Sequence, residues 1–164
     1  MTIRPSPLAA RTFRADRIPA PTSDTSRLAS AEIRRHLADG RSVDLEIGCG
    51  VGWHPIRYAS ENPERVLVAI ERTAEKFGKF RDRLRRHAAL PNLLPVHADA
   101  VAFISHFVPD ATIDRIFLYY PNPNPKNAAA RWIRMPFFGT LAKKLRPGGR
   151  IATTKAYWGP AGGY

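Results

Sequence analysis

The chain has 164 residues, a length that suits one domain. Lys and Arg total 26 against 14 Asp and Glu, giving a net charge of +12 and a pI near 10.7, which favours a polyanionic partner. An apolar fraction of 44% excludes wholesale disorder, and a lone cysteine, Cys49, excludes an intrachain disulfide and a cysteine-built zinc site.

Residues 1–24 carry Arg4, Arg11, Arg14 and Arg17 among Pro5, Pro7, Pro19 and Pro21, with no apolar period. They read as a basic, flexible arm ahead of a single domain over 25–164. The arm lacks the apolar stretch of a secretory signal, and no run reaches the ~20 apolar residues of a membrane helix. A cytoplasmic setting is expected, with no membrane partner.

A first helix is expected from Ser26 as its cap, with an apolar stripe of Leu28, Ile33 and Leu37 and a stop at Asp39-Gly40. Val43 to Ile47 reads as a strand, followed by Gly48-Cys49-Gly50-Val51-Gly52 and a short helix with Pro55 in its first turn. Val66 to Ile70 is a continuously apolar second strand. Thr73 caps a long helix whose Phe77, Phe80 and Leu84 share one face. Leu93 to Val96 reads as a third strand, Ala100 to Phe107 as a helix and Ile113 to Tyr119 as a fourth strand. The prolines of Pro121 to Pro125 demand a loop. A helix over Ala128 to Leu145, kinked at Pro136, precedes a turn at Pro147-Gly148-Gly149 and a fifth strand from Arg150 to Thr154. Alternating strands and helices mean an α/β fold: a Rossmann-like, doubly wound parallel sheet with right-handed crossovers. In such sheets ligands bind at the carboxyl ends of the strands.

Those ends carry the chemistry. The alternating glycines after Glu46 and Ile47 allow a tight turn and a close backbone approach to a ligand. Their spacing differs from the G-x-G-x-x-G of dinucleotide binders, and Glu46 would repel a pyrophosphate but suits an ammonium or sulfonium group. Glu71, with Arg72, closes the second strand roughly 20 residues after the glycines, where an acidic residue accepts from a ribose hydroxyl pair. Asp99, before Ala100, follows the third strand, placed either to cap the next helix or to accept from an adenine amine. Three acidic residues at three successive strand ends, with the glycines, describe a pocket for S-adenosylmethionine.

This set resembles the class I methyltransferase signature. Ile113 to Lys126, reading IDRIFLYYPNPNPK, narrows it: the stretch resembles the tRNA (guanine-N7) methyltransferase family, where it typically reads D-R-I-x-L-x-F-P-D-P-W-P-K. The likeness covers roughly residues 43–155. It implies the class I fold, strand order 3-2-1-4-5, S-adenosylmethionine as cofactor and tRNA as acceptor. It implies further that Glu46, Gly48, Gly50, Glu71, Arg72, Asp99, Ala100 and Tyr120 hold the cofactor. Asn122 sits where the family has its catalytic Asp, while Asn124, Lys126 and Lys155 fall at substrate-binding positions. No metal is implied.

The departures are as specific as the likeness. Asn122 replaces the family's Asp and Asn124 its Trp; Ala128 to Ala130 thin the basic run; Lys155 stands where Asp usually follows Thr. The sheet is expected to lack the strands six and seven that class I methyltransferases usually add, leaving an edge that the tail or a second subunit of a homodimer covers. Asn122-Pro123 is also similar to the Asn/Asp-Pro-Pro-aromatic loop of amino methyltransferases. Three readings follow: N-methylation of tRNA, N-methylation of a small nitrogen heteroaromatic, or a non-catalytic cofactor- or RNA-binding chain. The basic run Lys76, Lys79, Arg81, Arg83, Arg85 and Arg86 reads as a solvated face rather than an RNA site.

Overall fold

A computed structural model of the chain describes residues 13–119 and 135–153. The apolar runs form a five-stranded, all-parallel sheet of β1 (Val43–Ile47), β2 (Val66–Glu71), β3 (Leu93–His97), β4 (Ile113–Leu118) and β5 (Leu145–Thr153), in the order β3-β2-β1-β4-β5. Every residue of β1 and β2 is buried, which is why β2 reads as a nearly continuous apolar run, while β1 alternates Val43, Leu45 and Ile47 with the buried carboxylates of Asp44 and Glu46. The connecting helices are α1 (Asp24–Ala38), α2 (Trp53–Glu61), α3 (Ala74–Leu84), α4 (Ala100–Phe107) and α5 (Phe137–Lys144).

Strand side chains alternate between the two faces, and each face has its own core. On one, Ile33, Phe103, Ile104, Phe137 and Leu141 pack on Leu45, Val68, Ile70 and Ile116. On the other, Ile56 and Ala59 of α2 and Phe77 and Phe80 of α3 pack on Leu67, Ala69 and Phe117. The two helical layers are those expected from the alternation of elements, and the strand order is the one that the family resemblance implies.

Several local expectations are corrected. The cap of α1 is Ser23, not Ser26: its Oγ accepts from the Ser26 amide at 3.2 Å, and Asp24 then opens the helix, where the dipole favours a carboxylate. Ser26 is buried one turn in, and the inward stripe is Ser26, Ala29, Ser30, Ile33 and His36, leaving Leu28 67% exposed. The described part of the basic arm is docked rather than free. Phe13 meets the Phe137 ring edge-on at 5.1 Å, and His106 Nε2–H donates to the Ile18 carbonyl at 2.6 Å. Thr73 precedes α3 as expected, but its hydroxyl makes no capping bond.

Pro136 does not kink a helix interior; it stands immediately before α5, where its missing N–H costs nothing. Residues 128–134 of the expected helix, and the Pro121–Pro125 loop, lie outside the described residues. Strand β5 starts at Leu145, which pairs with Ile113, and resumes pairing at Arg150 opposite Arg115. Pro147 to Gly149 is therefore an irregularity within the strand rather than a turn ahead of it. Gly148 takes a φ of +80° there, and a Cβ on Gly149 would lie 3.0 Å from the Ile113 and Arg146 carbonyl oxygens. No helix among the described residues is long and apolar enough to cross a membrane.

Candidate active site

The loop after β1 folds back on β2: the Gly48 and Cys49 amides both donate to the Ile70 carbonyl, at 2.9 and 3.1 Å. This tight return requires left-handed backbone, and Gly48, Gly50 and Gly52 take φ of +73°, +61° and +84°. The three glycines differ in what surrounds them. A Cβ on Gly48 or Gly50 would meet nothing within 4 Å, so this stretch of backbone borders open space. A Cβ on Gly52 would lie 2.0 Å from the Phe80 ring, so the third glycine answers to the packing of α3.

Register brings the other strand ends alongside. Ile47 lies opposite Ile70, and Glu71 opposite His97. Glu71 is buried, and its carboxylate holds the loop: Oε2 accepts from the Gly50 amide at 2.9 Å and Oε1 from the Thr73 amide at 2.7 Å. Glu71 and Gly50 are thus in direct contact. The exposed Asp99 caps α4, accepting from the Ala102 amide at 3.1 Å, with buried Ala100 as the first helical residue. Arg72 is exposed, and its carbonyl accepts from His97 Nε2–H at 3.1 Å. Tyr120, Asn122, Asn124, Lys126 and Lys155 lie outside the described residues.

Glu46 points to a partner that the motif reading missed. Its Oε2 lies 2.7 Å from His54 Nδ1, and the Glu46 side chain is nearly closed to solvent. His54 is the second residue of α2, and its ring stands edge-on to Tyr119 at 4.7 Å and to Phe117 at 5.3 Å. The available signal was a polar residue at the mouth of a helix opening directly on the glycine loop. Burial raises the Tyr119 phenol above the ordinary tyrosine value, the Glu46 charge adds to this, and Arg57 opposes it. Burial, and then the Glu46 and Glu71 carboxylates, push the Cys49 thiol far up, so it is no nucleophile. Among the described residues no group of three or more His, Cys, Asp or Glu could hold a metal ion.

The basic run along α3 and just past its end is mostly solvated, and two of its six members are paired: Lys79 with Glu75 at 2.6 Å and Arg85 with Asp82 at 2.7 Å. Arg83 behaves differently. Its Nη1 donates to the Val51 carbonyl at 2.6 Å, and its guanidinium lies 3.6 Å above the Trp53 ring centroid.

The chain is similar to known proteins in sequence and in fold. A family model described as "Putative methyltransferase" matches residues 40–156. A tRNA (guanine-N(7)-)-methyltransferase of Nitrosomonas eutropha is 36% identical over 65% of this chain and 48% of its own length. One from Roseobacter denitrificans is 36% identical over 71% of this chain and 51% of its own. The chain spans about half the length of the curated relatives it matches. The antibiotic-resistance methyltransferase Kmr superposes with a TM-score of 0.56 at 22% identity, over 76% of this chain and 64% of its own. A precorrin-6y C5,15-methyltransferase from Geobacter metallireducens does so with a TM-score of 0.53 at 19% identity, over 84% and 68%. At such identities these two likenesses speak for the fold. The family match covers well over half of the chain, which belongs to this methyltransferase family.

Proposed function

We propose that this chain is an S-adenosylmethionine-dependent N-methyltransferase domain that methylates guanine N7 in tRNA, in the cytoplasm. The observation that carries the reading is the open space beside Gly48 and Gly50, bounded by the buried Glu71 carboxylate at the next strand end. Those residues fit the cofactor. The bare backbone admits its methionine portion, and Glu46 beside it suits a cationic group. Each Glu71 oxygen accepts one backbone amide and keeps a second lone pair for a ribose hydroxyl. Asp99, whose Oδ1 caps α4, can accept from the adenine amine next to Ala100. Arg72 and Tyr120 would complete the contacts. When bound, S-adenosylmethionine supplies a methyl group on sulfonium, already activated for in-line displacement.

The chain's own task is positioning. Guanine N7 has a lone pair in the ring plane and needs no deprotonation, so no general base is required. Asn122 orients the base through its amide but brings no charge to the cation that forms there. Relative to a carboxylate, this sacrifices about 3 kcal/mol of transition-state stabilisation. Asn124, Lys126 and Lys155 serve the RNA side. The acceptor assignment is supported by the tRNA (guanine-N(7)-)-methyltransferases among the relatives. The active form is read as a homodimer, and a monomer at every concentration in sedimentation would refute that.

The test is transfer of labelled methyl from S-adenosylmethionine to tRNA lacking N7-methylguanosine, run beside an RNA-free metabolite extract. Label at N7 of the tRNA is the expected result. Label only among small molecules would reassign the pocket to a nitrogen heteroaromatic. No label, with S-adenosylhomocysteine still bound in calorimetry, would leave a non-catalytic binding chain. Absence of that binding in folded protein would overturn the cofactor assignment.

A further inference from the structure

Trp53 and Leu28 are the large hydrophobic side chains that the described residues leave exposed, Trp53 at 70%. Their settings differ. Trp53 is the first residue of α2, directly after the glycine loop, and is braced by Arg83 stacked on one face of the indole. Arg83 is itself anchored to the Val51 carbonyl, so this stack is fixed to the loop. With one face covered and the residue still 70% exposed, the opposite face of the indole is open.

Beside it lies a groove of about 470 Å³, lined by Trp53, Ile56, Arg57, Arg83 and His87, with Glu61 the acidic group on its wall. Neither Arg57 nor Arg83 enters an ion pair among the described residues. The groove adjoins the candidate active site. His54, next to Trp53, touches the Tyr119 ring at the end of β4, and Arg57 acts electrostatically on the Tyr119 phenol.

An open aromatic plane with uncompensated guanidinium groups matches a nucleotide in single-stranded form: the base stacks and the phosphate meets the cations. An acidic peptide would use the cations and leave the indole face in water. We infer that this groove binds an unpaired nucleotide flanking the methylated guanine, its base on Trp53 and its phosphate at Arg57. The inference rests on the reading of tRNA as substrate and adds the place where the RNA strand leaves the active site.

The experiment measures tRNA binding, polyglutamate binding, methyl transfer and S-adenosylhomocysteine calorimetry for the parent protein and for Trp53→Leu, Trp53→Phe and Arg57→Gln. Calorimetry reports whether each variant keeps a folded pocket. Trp53→Leu is expected to weaken tRNA binding about tenfold, and Trp53→Phe to restore most of it. Arg57→Gln should lower the salt dependence of binding by about one counterion. Parent-like tRNA binding by Trp53→Leu and Arg57→Gln would overturn the inference, as would equal losses of polyglutamate and tRNA binding, which would show a site for anions in general. If the parent methylates tRNA and Trp53 proves irrelevant, only this inference fails. If Trp53 governs tRNA binding but no methyl is transferred, the groove's contact with RNA stands, while its place beside a methylated guanine falls with the acceptor assignment. A parent that does not bind tRNA overturns both.

Discussion

Glu71 joins two backbone segments, because its carboxylate accepts from Gly50 in the glycine loop and from Thr73 at the start of α3. Glu71→Gln retains only one accepting oxygen, so one of those amides loses its partner. The expected cost is about 1–3 kcal/mol in urea unfolding, with a larger loss in S-adenosylhomocysteine affinity than stability alone explains. His36 is a second residue whose effect is local and measurable. It is buried in α1, its Nδ1 has no partner, and burial, followed by the charges of Arg35 and Arg41, holds its imidazole below the ordinary histidine value. The unfolded chain therefore takes up this proton first as pH falls. Stability is full above about pH 6.5, declines below it, and levels off once the folded imidazole is itself protonated. His36→Gln should flatten that part of the pH–stability profile. Neither Glu71's two amides nor the His54 partner of Glu46 could be read from spacing, since each depends on where a neighbouring backbone or ring comes to rest.

Among the elements, the glycine loop separates two requirements that look identical in sequence. Gly52 faces the Phe80 ring of α3, whereas Gly48 borders open space. Gly52→Ala combines left-handed strain with a clash in a packed layer and should cost about 2–5 kcal/mol. Gly48→Ala carries the strain alone and should cost about 1–2 kcal/mol. Chemical denaturation would measure both, and calorimetry should find cofactor-analogue binding impaired by Gly48→Ala beyond its effect on stability. The strand-glycine-helix pattern was legible because it is local. Which glycine serves packing was not, because the clashing ring comes from another helix. The same holds for β5, where Pro147 to Gly149 carried every signal of a turn. Only pairing with Ile113 and Arg115 makes them part of a strand. The cap of α1 was misplaced by one turn because Ser23 and Ser26 are equally good capping residues in isolation.

At the scale of the molecule, the end of the sheet opposite the candidate site is fastened by buried charge. Asp44, fully buried in β1, accepts from Arg65 Nε at 2.7 Å, Arg65 Nη2 at 2.6 Å and the Tyr58 hydroxyl at 2.7 Å, and Arg115 donates to the Tyr58 oxygen at 2.9 Å. Arg146 and Arg65 also pair with Asp114. The cluster ties α2, β1, β4 and the start of β5 together. Asp44→Ala leaves the largely enclosed Arg65 guanidinium with only its longer contact to Asp114 and the Tyr58 hydroxyl without its acceptor, and the expected loss is about 3 kcal/mol by thermal or urea unfolding. The parallel sheet with a helical layer on each face was legible from the alternation of elements and the handedness rule, whereas its strand order was implied by the family resemblance. The ionic cluster was not, since an Asp inside an apolar strand shows no partner until the sheet is assembled. Strand β1 is bonded to β2 on one side and β4 on the other, and the glycine loop hangs from its end. Its amides can meet solvent only when the central pairings part. In hydrogen exchange, Leu45 and Ile47 will therefore report the free energy of global unfolding, and on heating the loop will lose its shape together with the sheet rather than before it.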